Sequence, residues 1–441
     1  MNDIRLYWIW LAEHCGAACG EFGREIAHRF TPFELYEMSE EELERAGEIS
    51  QRLRRKLGDK RLDDAKEILD YCDRYHVRIV TYADAEYPER LRHIAEPPVL
   101  LYVLGKIPAF DERLFIGVVG TRNISEYGTK STYKISYGLA ASGAVVVSGL
   151  AKGVDGVAAC AALAAKGDTV AVLGCGISTA YPRQHRTLMR AIAKNGTIIT
   201  EYPPKEPPQR WNFPKRNRII SALSQGVLMA EGAVKSGAMI TMDYATAQGR
   251  EVFAIPGGLE QGNAAGPNEL LRRGAKVATC AEDILRHYRS EFDGALLPEE
   301  ESKKLEEVPA ETAFRSYGVS MMYGGVTETA ALADAPEETK KPKEKKPKEK
   351  KKVKAKEKAG AEEAEGSVEI GSGRVIAEEL VFPDENARRV YHALPDDAFF
   401  YPDSVRCEGL GTAELLTALT MLEIYGLVSC HAGGRYRKET P

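Results

Sequence analysis

Leu114-Phe-Ile-Gly-Val-Val-Gly-Thr-Arg122, followed by Ala144-Val-Val-Val-Ser-Gly-Leu-Ala-Lys-Gly-Val-Asp155, decides how this chain folds. Each is a near-continuous apolar run that ends in glycine and leads into helix-favouring sequence. Strands of a parallel sheet have this composition, because helices cover both of their faces. Further runs follow at Thr169–Leu173, Thr197–Glu201, Gly226–Ala230 and Glu251–Ile255. Helical patterns fill Glu126–Ser142, Val154–Lys166, Arg186–Lys194, Ala238–Ala247, Pro267–Gly274 and Ala281–Tyr288. The alternation predicts an α/β domain with a parallel sheet over residues 81–290.

The turns after these strands carry the chemistry. They are Gly120-Thr-Arg122, Ser148-Gly-Leu-Ala-Lys-Gly153, Gly174-Cys-Gly176, Glu231 with Lys235-Ser-Gly237, and Pro256-Gly-Gly258. Stacked along one sheet edge, such turns present backbone N–H groups and helix N-termini to an anion. Gly120 and Gly149 let backbone approach a ligand, Thr121 and Ser148 add hydroxyls, and Arg122, Lys152 and Lys235 add charge. The expectation is a phosphate-accepting ridge instead of a single nucleotide loop. Asp155 reads as a helix cap or a partner of Lys152.

Phe213-Pro-Lys-Arg-Asn-Arg218 is the least ordinary segment. An aromatic ring beside Lys215, Arg216, Asn217 and Arg218 suits a single nucleic-acid strand, the ring stacking on a base while the cations hold phosphates. The competing reading puts Phe213 in a core and Arg216 in an ion pair.

Composition narrows the alternatives. The 441 residues allow two or three domains, and no stretch reaches the roughly 18–20 apolar residues of a membrane span. Without an export signal the expected location is the cytoplasm. The eight cysteines are scattered, with only Cys15 and Cys19 one helical turn apart, so they read as reduced thiols and no metal centre is expected. Residues 340–358 hold twelve Lys and three Glu, which leaves −14 on the remainder of a chain whose total is −5. An acidic body does not attract a polyanion by overall charge. Any nucleic-acid site must be a local, salt-sensitive basic patch.

Around the sheet domain the sequence divides further. Residues 1–80 read as a small helical domain, and Gly47 followed by Ile49-Ser-Gln-Arg-Leu53 suggests a helix-hairpin-helix start. Residues 295–375 read as a charged low-complexity linker, too poor in large apolar side chains to fold alone. Residues 376–441 regain order as helix Glu385–Leu394, helix Thr412–Tyr425 and a hairpin from Leu427–His431 to Arg435–Arg437, a winged-helix pattern. Its presumed recognition helix carries two Glu and no Lys or Arg, so an accessory or protein-contact role is expected.

No catalytic constellation is visible. His185 reads as a surface or turn histidine, not a base. Pro256-Gly-Gly258 superficially resembles the phosphate loop of nucleotide phosphoribohydrolases, yet the following Gly-Thr is missing.

Taken in order, Tyr87-Pro88, Pro97-Pro98, Val119-Gly-Thr-Arg122, Ser148–Asp155, Tyr181-Pro182, Glu201-Tyr-Pro203, Phe213–Arg218, Ser236-Gly237 and Val252–Gly257 resemble the DNA processing protein A family, DprA or Smf, over residues 80–285. The resemblance implies an extended Rossmann-like fold, a SAM-like helical domain in front, a winged helix behind, and a homodimer. It implies a non-catalytic, cofactor-free protein that binds single-stranded DNA, protects incoming strands and loads the RecA recombinase in natural transformation, displacing single-strand-binding protein. Carried over residue by residue, DNA contacts fall on Gly120, Thr121, Arg122, Ser148, Gly149, Lys152, Arg216, Asn217, Arg218, Ser236 and Gly237, beside Lys215, Lys235 and the Phe213 ring. One departure is Ala159, where the family usually has histidine. A nucleotide-processing enzyme using the same sheet edge is the alternative.

Overall fold

The computed structural model describes residues 3–302 except residue 48, then 308–319, and farther on 385–395, 399–400, 415, 418–419, 422, 427–431 and 435–438. These fall into two compact units, residues 1–337 and 338–441.

The chain opens with helices. Helix α1 (Ile4–Cys15) is capped by the Asp3 carboxylate, and α2 (Pro32–Glu37) and α3 (Glu40–Arg45) each begin with a reciprocal capping box. Helix α4 (Gln51–Leu57) comes next, separated from α3 by a turn in which Gly47 has φ +84°. Helix α5 (Asp63–Arg74) leads into the sheet. Trp10, Ile9 and Leu11 of α1 are buried in the same apolar cluster as Tyr102 and Val103 of the sheet, so the helical segment and the sheet share one core.

The sheet has nine strands. Strand β1 (Arg78–Thr81), a short α6 (Glu89–Arg92) and β2 (Leu100–Gly105) precede the part read from sequence. Then come β3 (Phe115–Val119), α7 (Glu126–Ala141), β4 (Val145–Ser148), α8 (Val154–Ala164), β5 (Thr169–Val172), α9 (Arg186–Asn195) and β6 (Thr197–Thr200). Helix α10 (Asn212–Leu223), β7 (Gly226–Met229), α11 (Gly237–Ala247), β8 (Glu251–Ala254), α12 (Ala265–Arg272), β9 (Lys276–Val277) and α13 (Glu282–Leu285) complete it. The strand order is β1-β2-β6-β5-β4-β3-β7-β8-β9. From β6 to β9 every pairing is parallel, and β2 and β1 add antiparallel at one edge. All six strands expected from sequence are present. The chain runs from β3 outward to β6 and then returns to the other side of β3 with β7. That reversal makes β3/β7 the switch point where open α/β sheets hold ligands.

Two findings modify the sequence reading. Phe213–Arg218 lies inside α10, so its cations are set about 100° apart by the helix and cannot all face one side. The expected linker begins later than residue 295. Helices α14 (Glu299–Ser302) and α15 (Ala310–Tyr317) are formed, and Phe314 is buried edge-on against Tyr133 of α7. Tyr317 of α15 donates its hydroxyl to the Leu163 carbonyl of α8, and Tyr133 donates to Val308. Two apolar side chains cannot support a separate fold, but they can dock on an existing one. The lysine block lies outside the described residues.

In the second unit, helix α16 (Glu385–Ala393) packs Val390 and Tyr391 into a small core with Leu415, Leu419 and Leu422. Strands β10 (Phe399–Phe400), β11 (Val428–His431) and β12 (Arg435–Lys438) form an antiparallel sheet in the order β10-β12-β11. The hairpin read from sequence is therefore formed. Most of Thr412–Tyr425 lies outside the described residues. Among the described residues no helix is long and apolar enough to cross a membrane, and no His/Cys/Asp/Glu group is set to hold a metal.

Candidate nucleic-acid interface

The glycine turns do gather at the carboxyl edge of the sheet, and they interlock. Thr121 donates its N–H to the Glu231 carbonyl across the β3/β7 switch point. Val154 donates to the Thr121 carbonyl, and a Cβ on Gly153 (φ +75°) would collide with the Thr121 and Arg122 backbone. Asn217 of α10 donates its side-chain amide to the Gly237 carbonyl, 3.2 Å. A Cβ on Gly174 would meet the Phe213 ring at 2.8 Å.

Yet several of the amides in these turns are already used. The buried Glu231 carboxylate accepts from the N–H and hydroxyl of Ser125, the N-cap of α7, and so occupies the anion position of that helix itself. The Asp155 carboxylate accepts from Ala151 N–H at 3.2 Å and from the Gly149 amide. Asp155 faces Arg216, not Lys152, and burial pushes its pKa up. The Pro256-Gly-Gly258 turn is closed by Asn268, which accepts from Gly257 N–H and donates to its carbonyl. The continuous amide ridge expected from sequence is thus reduced by internal carboxylates and an amide.

The turn before α11 stays open. Helix α11 starts at Ser236 without a side-chain cap, and the amides of Gly237 and Ala238 find no acceptor among the described residues. The Ser236 hydroxyl is buried and also lacks a partner there. Exposed Lys235 adjoins it. An uncapped N-terminus with an unused hydroxyl and a lysine has the donor set of a phosphate site.

The cations separate into two groups. Arg122, Lys152, Lys215 and Lys235 are exposed and form no salt bridge among the described residues. Arg122 lies over the Phe213 ring at 5.7 Å. Arg216 and Arg218, in contrast, are 3 % and 1 % exposed. Arg216 donates to the carbonyls of Gly149 and Val172, which ties α10 to β4 and β5. Arg218 makes a two-pronged pair with Glu201, both bonds 2.7 Å, and donates Nε to the Glu96 carbonyl. Arg218 is therefore corrected from a ligand contact to a structural ion pair, and Arg216 is a buried brace, close to the competing sequence reading. Ser148 also turns inward, donating to the Val118 carbonyl at 2.7 Å. Helical geometry is the reason: Lys215 is left facing outward while its neighbours 216 and 218 are carried inward.

Aromatic rings line the same edge. Phe213 is half-buried and stacks obliquely on Tyr181 at 5.2 Å, and Tyr181 and Trp211 are exposed. Trp211 was not singled out from sequence, although it lies two residues before Phe213. His185 proves buried: its Nδ1 meets the Leu150 carbonyl at 3.1 Å, and its ring fills the space a Gly156 side chain would need. It is a turn histidine, as expected, but not a surface one.

The comparisons with known proteins bear on the family and the fold. The family model described as DNA recombination-mediator protein A matches residues 78–289. The chain is 41 % identical over 208 residues to DNA processing protein DprA of Bacillus subtilis, covering 47 % of this chain and 70 % of that protein. It is also 41 % identical over 202 residues to DprA of Streptococcus pneumoniae, covering 46 % and 71 %. The solved structure of DNA processing protein A from Streptococcus pneumoniae superposes with a TM-score of 0.56 at 32 % identity, covering 64 % of this chain and 97 % of that one. Sequence, sheet topology and the glycine-turn edge thus converge, and the chain belongs to the DNA recombination-mediator protein A (DprA/Smf) family.

Proposed function

We propose that this protein binds single-stranded DNA along the carboxyl edge of its sheet without hydrolysing it. The observation that carries this reading is the open N-terminus of α11, with Lys235 and the unpartnered Ser236 hydroxyl, on the same sheet edge as exposed Arg122, Lys152 and Lys215. Phosphates of a strand would sit on these donors. Phe213, Tyr181 and Trp211 offer faces to unpaired bases, which a duplex does not present. Backbone grip with stacking gives little base preference and a steep salt dependence.

The enzyme alternative is weaker. In a mononucleotide enzyme of this topology the phosphate would occupy the switch-point helix, and there Glu231 already holds the Ser125 donors. His185, at the edge, is buried against a carbonyl.

By family kinship the further reading is recombination mediation: protection of incoming strands, exchange of single-strand-binding protein for RecA, and action as a homodimer in the cytoplasm during natural transformation. The second unit, with its helix and basic hairpin, fits a winged-helix accessory module. Fluorescence anisotropy with oligothymidine tests the core claim. Arg122→Ala with Lys152→Glu is expected to cost about 2–3 kcal/mol, roughly 30- to 150-fold in affinity. Duplex DNA should bind more weakly at every salt concentration. Undiminished binding by the double variant would remove the site.

A further inference from the structure

The opposite, amino edge of the sheet holds a cleft of about 600 Å³ beneath the starts of β3, β7 and β8. Arg90 and Arg250 line it together with Asp111, Glu112, Glu291 and Phe292. A smaller cleft of about 340 Å³ adjoins it, sharing Arg250 and Glu291 and reaching Tyr288. The combined size is that of a small-molecule site.

Its floor is unsatisfied. The Nε and Nη1 atoms of Arg90, the Nε of Arg250 and the Tyr288 hydroxyl are buried and have no hydrogen-bond partner among the described residues. Arg90 uses only its Nη2, on the Phe110 carbonyl, and its guanidinium lies over the Phe115 ring at 5.3 Å. Arg250 donates from Nη2 to the Ala222 carbonyl at 3.2 Å. A buried donor without a partner is costly to leave unmade, so a cluster of them marks a place for an acceptor. The two arginines also feel one another, and burial pushes Arg90 down to about 10. An anionic group would relieve both effects.

The rim has the opposite sign. Glu89, Asp111, Glu112, Glu291 and Asp293 are exposed carboxylates. A phosphate-rich ligand would be repelled before it reached the floor, and a plain cation would leave the arginines unanswered. A ligand that satisfies both carries a single carboxylate beside a cationic group. We propose that this cleft binds a cationic amino-acid unit, its carboxylate on Arg90 and Arg250 and its ammonium or guanidinium among the rim carboxylates. Free arginine or lysine presents this chemistry, and so does a C-terminal arginine or lysine of a peptide. The site lies across the sheet from the proposed DNA edge and is independent of it.

Isothermal titration of the full chain tests the proposal. L-Arginine or L-lysine should bind saturably at one site. Agmatine, which lacks the carboxylate, and succinate, which lacks the cation, should bind at least about tenfold more weakly. Glu291→Lys, a surface change that leaves the floor intact, and Arg250→Gln should each weaken arginine binding at least about tenfold, with oligothymidine binding unaltered. A short peptide ending in arginine, with a free or an amidated terminus, separates the two sources: tight binding of the free-terminus peptide alone points to a polypeptide end, and tight binding of the amino acid alone points to the metabolite. No saturable binding of any of these, equal binding of agmatine or succinate, or indifference to both variants would overturn the assignment.

Discussion

Replacing Arg218 by alanine separates a structural cation from a ligand-binding one. Arg218 and Glu201 have side chains 2 % and 4 % exposed, joined by two 2.7 Å bonds, with a further bond from Arg218 Nε to Glu96. Alanine strands the Glu201 carboxylate in the interior, a change that costs about 3–5 kcal/mol because the partner's desolvation is no longer offset. With a urea dependence of about 3 kcal/mol/M for a unit this large, the unfolding midpoint should fall by about 1–1.7 M. Tryptophan fluorescence follows it, since Trp8 and Trp10 are buried in the shared core. Arg218→Met with Glu201→Leu should recover most of the loss, because a neutral pair of similar volume needs no counter-charge. Below the unfolding transition the alanine variant should bind oligothymidine with an unchanged salt slope, whereas losing a true phosphate contact would reduce the slope by about 0.7 for a single strand. A variant of undiminished stability with weaker, less salt-sensitive binding would refute this reasoning and return Arg218 to the DNA.

Three further outcomes rest on the same geometry. Gly149→Ala should abolish tight binding and lower stability, since the new Cβ would lie 2.7 Å from Asp155 Oδ2 and closer still to Arg216, displacing the brace between α10 and β4; a crystal structure or urea melt checks it. His185 is held neutral by burial, its pKa lowered from 6.5, so the unfolded chain takes up a proton that the folded chain resists. Stability from this group is complete above pH 6.5 and is lost as pH falls through the lowered value, and His185→Gln should flatten the urea midpoint between about pH 7 and pH 5. Glu231→Ala should cost about 1–3 kcal/mol by leaving Ser125 donors unsatisfied, and inorganic phosphate should then raise the melting temperature of the variant more than that of the parent protein, whose α7 N-terminus is already occupied.

Local sequence carried the sheet far. Apolar runs ending in glycine are read within ten residues, and the six strands from β3 to β8 lie where those runs lie. Strands β1 and β9 do not show in the pattern, being short and at the sheet edges, where one-sided burial weakens the signal; β2, six residues long and mostly buried inside the sheet, is missed although its apolar run is as continuous as the others. Helix α10 was not foreseen because proline and alternating cations hide its period, and this is where the site reading most needed correction. The docking of α15 was likewise hidden, since a single buried Phe314 has meaning only beside Tyr133.

The amino-acid order alone therefore determined the α/β class, the order of the turns and the family, all of which rest on short-range periodicity and motif identity. Tertiary structure alone decided which donors remain available to a ligand. Ser125 is answered by Glu231, 106 residues away, and Arg216 by Val172, 44 residues away. Whether a cation or an amide faces solvent depends on partners the chain brings together only by folding, and a buried charge must find such a partner or bear its full desolvation.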